Sequence, residues 1–136
     1  MAGELLLVVD DNETNVRLLK LYLEKRGYVV ATARGGVEAR AQLEALRPRL
    51  VLMDIQLPDI DGLQLTREIK ADARLGHTLI VAVTSYAMKG DRQRALGAGC
   101  DGYVSKPIDF ALLRAELDRQ LAPGRAALSG PSGGSP

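Results

Sequence analysis

Five side chains able to handle charge stand where apolar runs give out. Asp10 and Asp11 follow Leu5-Leu6-Leu7-Val8-Val9, and Asp54 follows Leu50-Val51-Leu52-Met53. Thr84 closes the run from Leu79 to Val83, and Lys106 comes just after Gly102-Tyr103-Val104. If the runs are parallel strands of one sheet, their carboxyl ends share an edge, and three carboxylates, a hydroxyl and an ammonium converge there. Two like charges 4 Å apart cost about 4 kcal/mol at an effective dielectric near 20. The acids must therefore be partly protonated or share a cation. Oxygen donors with no His or Cys among them select a hard cation, and few protein ligands with open water positions favour Mg²⁺ over Ca²⁺. No glycine-spaced Ca²⁺ loop is present. Singly, each residue has a plainer role: Asp10, Asp11 or Asn12 can cap a helix, Thr84 can end a strand, and Lys106 can be solvated. The joint pattern is what points to a site.

The elements that must position these groups alternate in period. Leu5–Val9 is apolar on both faces, as in a central parallel strand. Asp10 to Gly27 carries Val16, Leu19 and Leu23 at helical spacing, with Gly27 as a C-terminal stop. Strands are then expected over Tyr28–Thr32, Leu50–Met53, Leu79–Val83 and Gly102–Val104. Helices are expected over Val37–Leu46, Leu63–Ala73 and Met88–Leu96. A last helix is marked by Phe110, Leu113, Leu117 and Leu121. The helix over Met88–Leu96 has a thin apolar stripe and is expected to be loosely held. Five strand–helix units predict a (βα)5 three-layer α/β sandwich with a parallel five-stranded sheet, right-handed crossovers and strand order 2-1-3-4-5. In that order the ligand crevice opens beside strands one and three.

The bulk properties exclude more than they assign. The 136 residues suit one domain over residues 1–122. Ten of the 14 residues from 123 to 136 are Gly, Pro or Ser, which reads as a flexible tail or linker. A net charge of +1 gives no support for nucleic acid or a membrane surface as the main partner. No stretch approaches the roughly 20 apolar residues of a membrane span, and none reads as a signal peptide, so a cytoplasmic protein is expected. Cys100 is the single cysteine and His77 the single histidine. They are read as a small buried apolar residue and a surface loop residue, and Tyr22, Tyr28 and Phe110 as aromatics in or beside the core.

Motifs now extend the pattern: Val8-Val9-Asp10-Asp11-Asn12, Leu52-Met53-Asp54-Ile55-Gln56-Leu57-Pro58, Asp61-Gly62, Val83-Thr84-Ser85, and Gly97 through Pro107. In this order and spacing the chain, from about residue 4 to 121, resembles the receiver domains of two-component response regulators. Asp10 to Asn15 looks like those of single-domain regulators and hybrid kinases. The resemblance implies a flavodoxin-like fold and a phosphorylation-dependent switch, not an enzyme beyond its own phosphotransfer and autodephosphorylation. It implies Asp54 as phosphoacceptor, and Mg²⁺ bound by Asp11, Asp54, the Gln56 backbone carbonyl and, directly or through water, Asp10. It further implies Thr84 on a phosphoryl oxygen, Lys106 paired with the phosphoryl group, Tyr103 as an aromatic switch and a cis Lys106–Pro107 peptide. The neighbours Gln56, Ser85 and Tyr86 would tune phosphate lifetime. Expected partners are a sensor histidine kinase or histidine phosphotransfer protein, met around the first helix, and an effector met at the fourth helix, fifth strand and fifth helix. A monomer or weak homodimer is expected.

Three rivals remain to be weighed. Haloacid dehalogenase phosphatases need a second Asp two residues after the nucleophile, but position 56 is Gln and position 12 is Asn. A dinucleotide-binding domain needs a glycine-rich turn where Asp10-Asp11-Asn12 stands. A never-phosphorylated module of the same fold is opposed by the intact Asp54, Thr84 and Lys106.

Overall fold

The computed structural model describes residues 3–85 and 90–122. Five strands, β1 (Leu5–Val9), β2 (Val29–Ala33), β3 (Leu50–Asp54), β4 (Leu79–Thr84) and β5 (Gly102–Ser105), alternate with five helices. These are α1 (Glu13–Lys25), α2 (Gly36–Leu46), α3 (Gly62–Ala71), α4 (Asp91–Gly97) and α5 (Phe110–Leu121). The sheet is parallel throughout, in the expected order β2-β1-β3-β4-β5.

The period of two in β1 splits the core. Leu6 and Val8 face Leu19 and Leu23 of α1 and Leu113, Leu117 and Leu121 of α5. Leu7 and Val9 face the layer built by Ala39 and Leu43 of α2, Leu63, Leu65 and Ile69 of α3, and Ala95 of α4. Each fully buried Leu contributes about 1.5–3 kcal/mol relative to exposure, and both layers are needed because β1 and β3 are apolar on either face. Tyr28 and Cys100 are buried and His77 is exposed, as read from the sequence, while Tyr22 and Phe110 pack ring against ring at the core margin.

Several boundaries differ from expectation. α1 starts at Glu13, not Asp10, because Asn12 takes the cap: its Oδ1 accepts the Asn15 N–H at 3.0 Å. Asp10 and Asp11 are thereby left outside the helix. β3, β4 and β5 each run one residue further, so Asp54 and Thr84 are the last residues of strands. The ladder pairs Asp54 with Val83 and Thr84 with Ser105, since main-chain pairing is indifferent to a polar side chain at a strand's end. β2 lies one residue later than expected, and α3 begins at Gly62 and ends at Ala71. The described fourth helix begins at Asp91 after Gly90, at φ 95°. Met88, Tyr86 and the stretch 123–136 lie outside the described residues.

Candidate functional site: an acidic pocket at the carboxyl edge of the sheet

β1 and β3 deliver their terminal acids side by side, because β1 is the strand from which the chain winds outward in both directions. One carboxylate oxygen from each of Asp10, Asp11 and Asp54 lies within 4.8 Å of the other two. Asp10 and Asp54 are buried, at 3% and 4% exposure, and Asp11 is open to solvent. Lys106 enters from the far side: its Nζ donates to Asp10 Oδ2 at 2.9 Å and to Asp54 Oδ2 at 3.3 Å. The Lys106 main chain is fixed by its N–H, which donates to the Thr84 carbonyl at 2.7 Å. The Lys106–Pro107 peptide is cis.

The acids are held by their own loops. Asp10 Oδ1 accepts the Asn12 N–H at 2.9 Å and Asp54 Oδ1 accepts the Gln56 N–H at 2.9 Å. The latter sets the Gln56 backbone against the Asp54 carboxylate. Thr84 is buried at 1% exposure at the end of β4. Ser85 Oγ donates to Gln56 Oε1 at 3.3 Å on the exposed rim. Tyr103 is half-buried, three residues before Lys106, against the core layer that includes Ala95 of α4. Gly62, the first residue of α3, has no room for a Cβ, which would strike the Asp54 carbonyl and the Ile55 main chain.

Electrostatics follows from this count. Burial pushes the Asp54 carboxyl up from its ordinary value and Asp10 adds to the rise, while the Gln56 N–H and Lys106 pull it down. Burial also works against the Lys106 ammonium, but hydrogen bonds and charge from Asp10 and Asp54 outweigh it and hold its pKa above the usual lysine value. With all groups ionised, one ammonium faces three carboxylates. An all-oxygen donor set with surplus negative charge and one solvent-open ligand fits a hard divalent cation that keeps several waters, as Mg²⁺ does. Asp10, Asp11 and Asp54 are the side chains that would hold it.

Some contributors were not found from sequence. Asn15 Nδ2 reaches Asp10 Oδ2 at 3.4 Å. Asp59, from the loop after β3, spans to α2: Gly36 N–H donates to its Oδ1 at 2.8 Å and Val37 N–H to its Oδ2 at 3.0 Å. The sequence signal for that contact is the Gly35-Gly36 pair, vacated where the loop crosses. At the opposite edge, Lys70 Nζ donates to Asp101 Oδ2 at 2.8 Å and to the Thr78 carbonyl at 2.8 Å.

A doubly wound parallel sheet with an acid cluster and a facing lysine at its switch point defines the class: a flavodoxin-like domain with an acidic crevice at the carboxyl edge of its sheet. The sequence profile of the response regulator receiver domain matches residues 6–118. The chain is 45% identical over 102 residues to the polar-differentiation response regulator DivK of Brucella anthropi, covering 75% of this chain and 83% of that protein. Among solved structures, the receiver domain of sensor histidine kinase PA1611 from Pseudomonas aeruginosa, with a magnesium ion coordinated in its active-site cleft, is 37% identical with a TM-score of 0.79, covering 87% of this chain and 97% of that one. A putative response regulator from Chloroflexus aurantiacus is 29% identical with a TM-score of 0.84, covering 88% and 98%. The chain belongs to the response regulator receiver domain family. It is a two-component signalling domain, and among the described residues no helix is long and apolar enough to cross a membrane.

Proposed function

We propose that Asp54 accepts a phosphoryl group from a phosphohistidine and that the acyl phosphate switches the face formed by α4, β5 and α5. The observation that carries this reading is Lys106 Nζ within hydrogen-bond distance of both Asp10 and Asp54 while Asp11 lies alongside. A carboxylate oxygen of Asp54 attacks phosphorus in line. The new P–O bond forms as the P–N bond breaks, and the electron pair leaves on the imidazole nitrogen, which takes up a proton. Lys106 follows the charge from carboxylate to phosphoryl oxygen, and the Thr84 hydroxyl donates to a second phosphoryl oxygen. Main-chain hydrogen bonds fix the acceptor before the donor arrives, which is the positioning that phosphoryl transfer chiefly requires. Mg²⁺, when bound, supplies neutralisation of the carboxylates and of the transferred group. Water later hydrolyses the acyl phosphate at the same site, and no turnover of another substrate is involved.

After transfer, Thr84 moves toward the phosphoryl group and Tyr103 turns inward, shifting the balance of two arrangements around α4. The half-buried setting of Tyr103 supports this. A groove of about 510 Å³ lined by Asn15, Leu18, Lys106, Pro107 and Phe110 opens beside the site. With the exposed Leu18 and Leu21 it suits the helix of a histidine kinase or phosphotransfer protein. The effector binds the α4–β5–α5 face. The receiver occupies residues 1–122 with 123–136 as tail, acts in the cytoplasm as a monomer or weak homodimer, and has no nucleic-acid partner.

Mass spectrometry after incubation with acetyl phosphate and Mg²⁺ tests the reading. One added phosphoryl group on the wild type and none on Asp54→Asn are expected. Uptake by Asp54→Asn at the wild-type rate would end it.

A further inference from the structure

The loop from Ile55 to Asp61 carries Gln56 and must hold its main chain still against Asp54. Its far end is tied to α3: Leu63 N–H donates to Asp61 Oδ1 at 2.9 Å, and Gly62 N–H to the Ile55 carbonyl at 2.8 Å. Its middle is tied to a different helix. α2 has no side-chain cap of its own, and two of the N–H groups that any helix start leaves orphaned are taken by the two oxygens of Asp59. These hydrogen bonds hold the Asp59 carboxyl below the usual carboxylate range, although the side chain is exposed.

Two glycines make room for the crossing. A Cβ at position 35 would lie 2.9 Å from Asp59 Oδ1, and one at position 36 would run into Ile60 Cγ2. Neither glycine has a positive φ, and Gly35 at φ −163° is ordinary extended backbone. The missing side chains therefore serve the contact rather than a turn. Ile60 completes the seat by packing half-buried against the core layer shared by α2 and α3.

We infer that Asp59 is a positioning residue: lodged over Gly35-Gly36 with Ile60 against Gly36, it clamps the Gln56-bearing loop to α2, so that α2 supports the metal-binding side of the pocket without touching it. The inference rests on the acidic-pocket reading above. Cutting the clamp loosens the Gln56 main chain while leaving Asp10, Asp11, Asp54 and Lys106 in place.

Mg²⁺ itself is the probe, titrated into the full chain and followed by amide shifts, with Asp11→Asn as the reference for lost binding. Asp59→Ala is expected to bind Mg²⁺ about tenfold more weakly, as when the support of a metal ligand is removed. Asp59→Asn, which keeps one acceptor oxygen, should fall between. Gly36→Ala separates the clamp from plain helix stability. Alanine favours a helix over glycine, yet the clamp requires weaker Mg²⁺ binding. In the metal-free protein, hydrogen exchange at the Gln56 amide should speed up in Asp59→Ala with Val51 and Leu52 unchanged. Asp59→Ala and Gly36→Ala proteins with wild-type Mg²⁺ affinity and unaltered Gln56 exchange overturn the clamp. A wild type that takes up no Mg²⁺ overturns the pocket reading instead, and the exchange rates then decide the clamp by themselves.

Discussion

Each edge of the sheet carries a lysine–aspartate pair, and the two are built to opposite ends. At the amino edge Lys70 reaches Asp101 Oδ2 at 2.8 Å and two carbonyls, of Thr78 at 2.8 Å and Gly76 at 3.5 Å. Asp101 Oδ2 also accepts the Ile80 N–H at 2.8 Å, and the Asp101 carbonyl accepts Gln120 Nε2 at 2.8 Å. One charge meets one charge, the ammonium's three donors are used, and α3, β4, β5 and α5 are stitched together. At the carboxyl edge one lysine is divided between Asp10 and Asp54, with Asp11 beside them. The first pair closes on itself and serves the fold. The second is left with negative charge to spare, and that surplus is what the proposed binding of a cation and a phosphoryl group would use.

The largest expected effect lies at the amino edge. Asp101→Ala strands a largely buried ammonium and the Ile80 N–H and should cost about 3 kcal/mol, read from the denaturant midpoint. Its Mg²⁺ affinity should stay at the wild-type value, and a large change there would erase the division between the edges. Next comes Lys106→Met, which leaves Asp10 and Asp54 unpaired. About 2 kcal/mol should be lost without metal, and saturating Mg²⁺ should recover most of it. No recovery would mean that the cation does not sit among the acids.

Asp54→Asn should act with the opposite sign. The folded carboxyl titrates above its unfolded value of 3.8. The contribution of Asp54 to stability is therefore fully present below pH 3.8 and lost as pH rises through the folded pKa. At neutral pH without metal the ionised group costs stability, so Asp54→Asn should melt higher than the wild type. The difference should close at pH values below 3.8 and shrink under saturating Mg²⁺. An equal or lower melting temperature at pH 7 would contradict the surplus-charge account. The smallest effect is the solvent control. Lys20 and Glu24 on α1 are 3.6 Å apart with side chains 46% exposed, and removing either should change stability by no more than about 0.5 kcal/mol. A larger loss would show that exposed charge also counts here.

The carboxyl-edge pair was legible in the sequence and the amino-edge pair was not. Asp54 and Thr84 interrupt long apolar runs, so their polarity stands out, and the doubly wound topology gathers such interruptions. Lys70 sits among other charged residues on a helix and Asp101 in a short glycine-rich loop, where either one looks like ordinary solvated surface. Asp59 was hidden for the same reason. The start of α1 was misplaced because Asp10, Asp11 and Asn12 are all capable caps, and only the geometry of the Asn12 side chain decides among them. Strand ends were set one residue early because hydropathy marks where apolar side chains stop, whereas the ladder runs on through Asp54 and Thr84, which are buried although polar.

Gly62 separates two kinds of failure that screens usually merge. α3 is anchored deep by Leu63, Leu65 and Ile69, whereas the tip of β3 borders an open crevice. Any side chain at position 62 would press on the Asp54 carbonyl and the Ile55 main chain, and the strand tip is expected to yield, shifting Asp54 while the deep anchors of α3 hold. A library sorted for soluble, protease-resistant protein would pass such variants as tolerated, and one sorted for signalling would discard them.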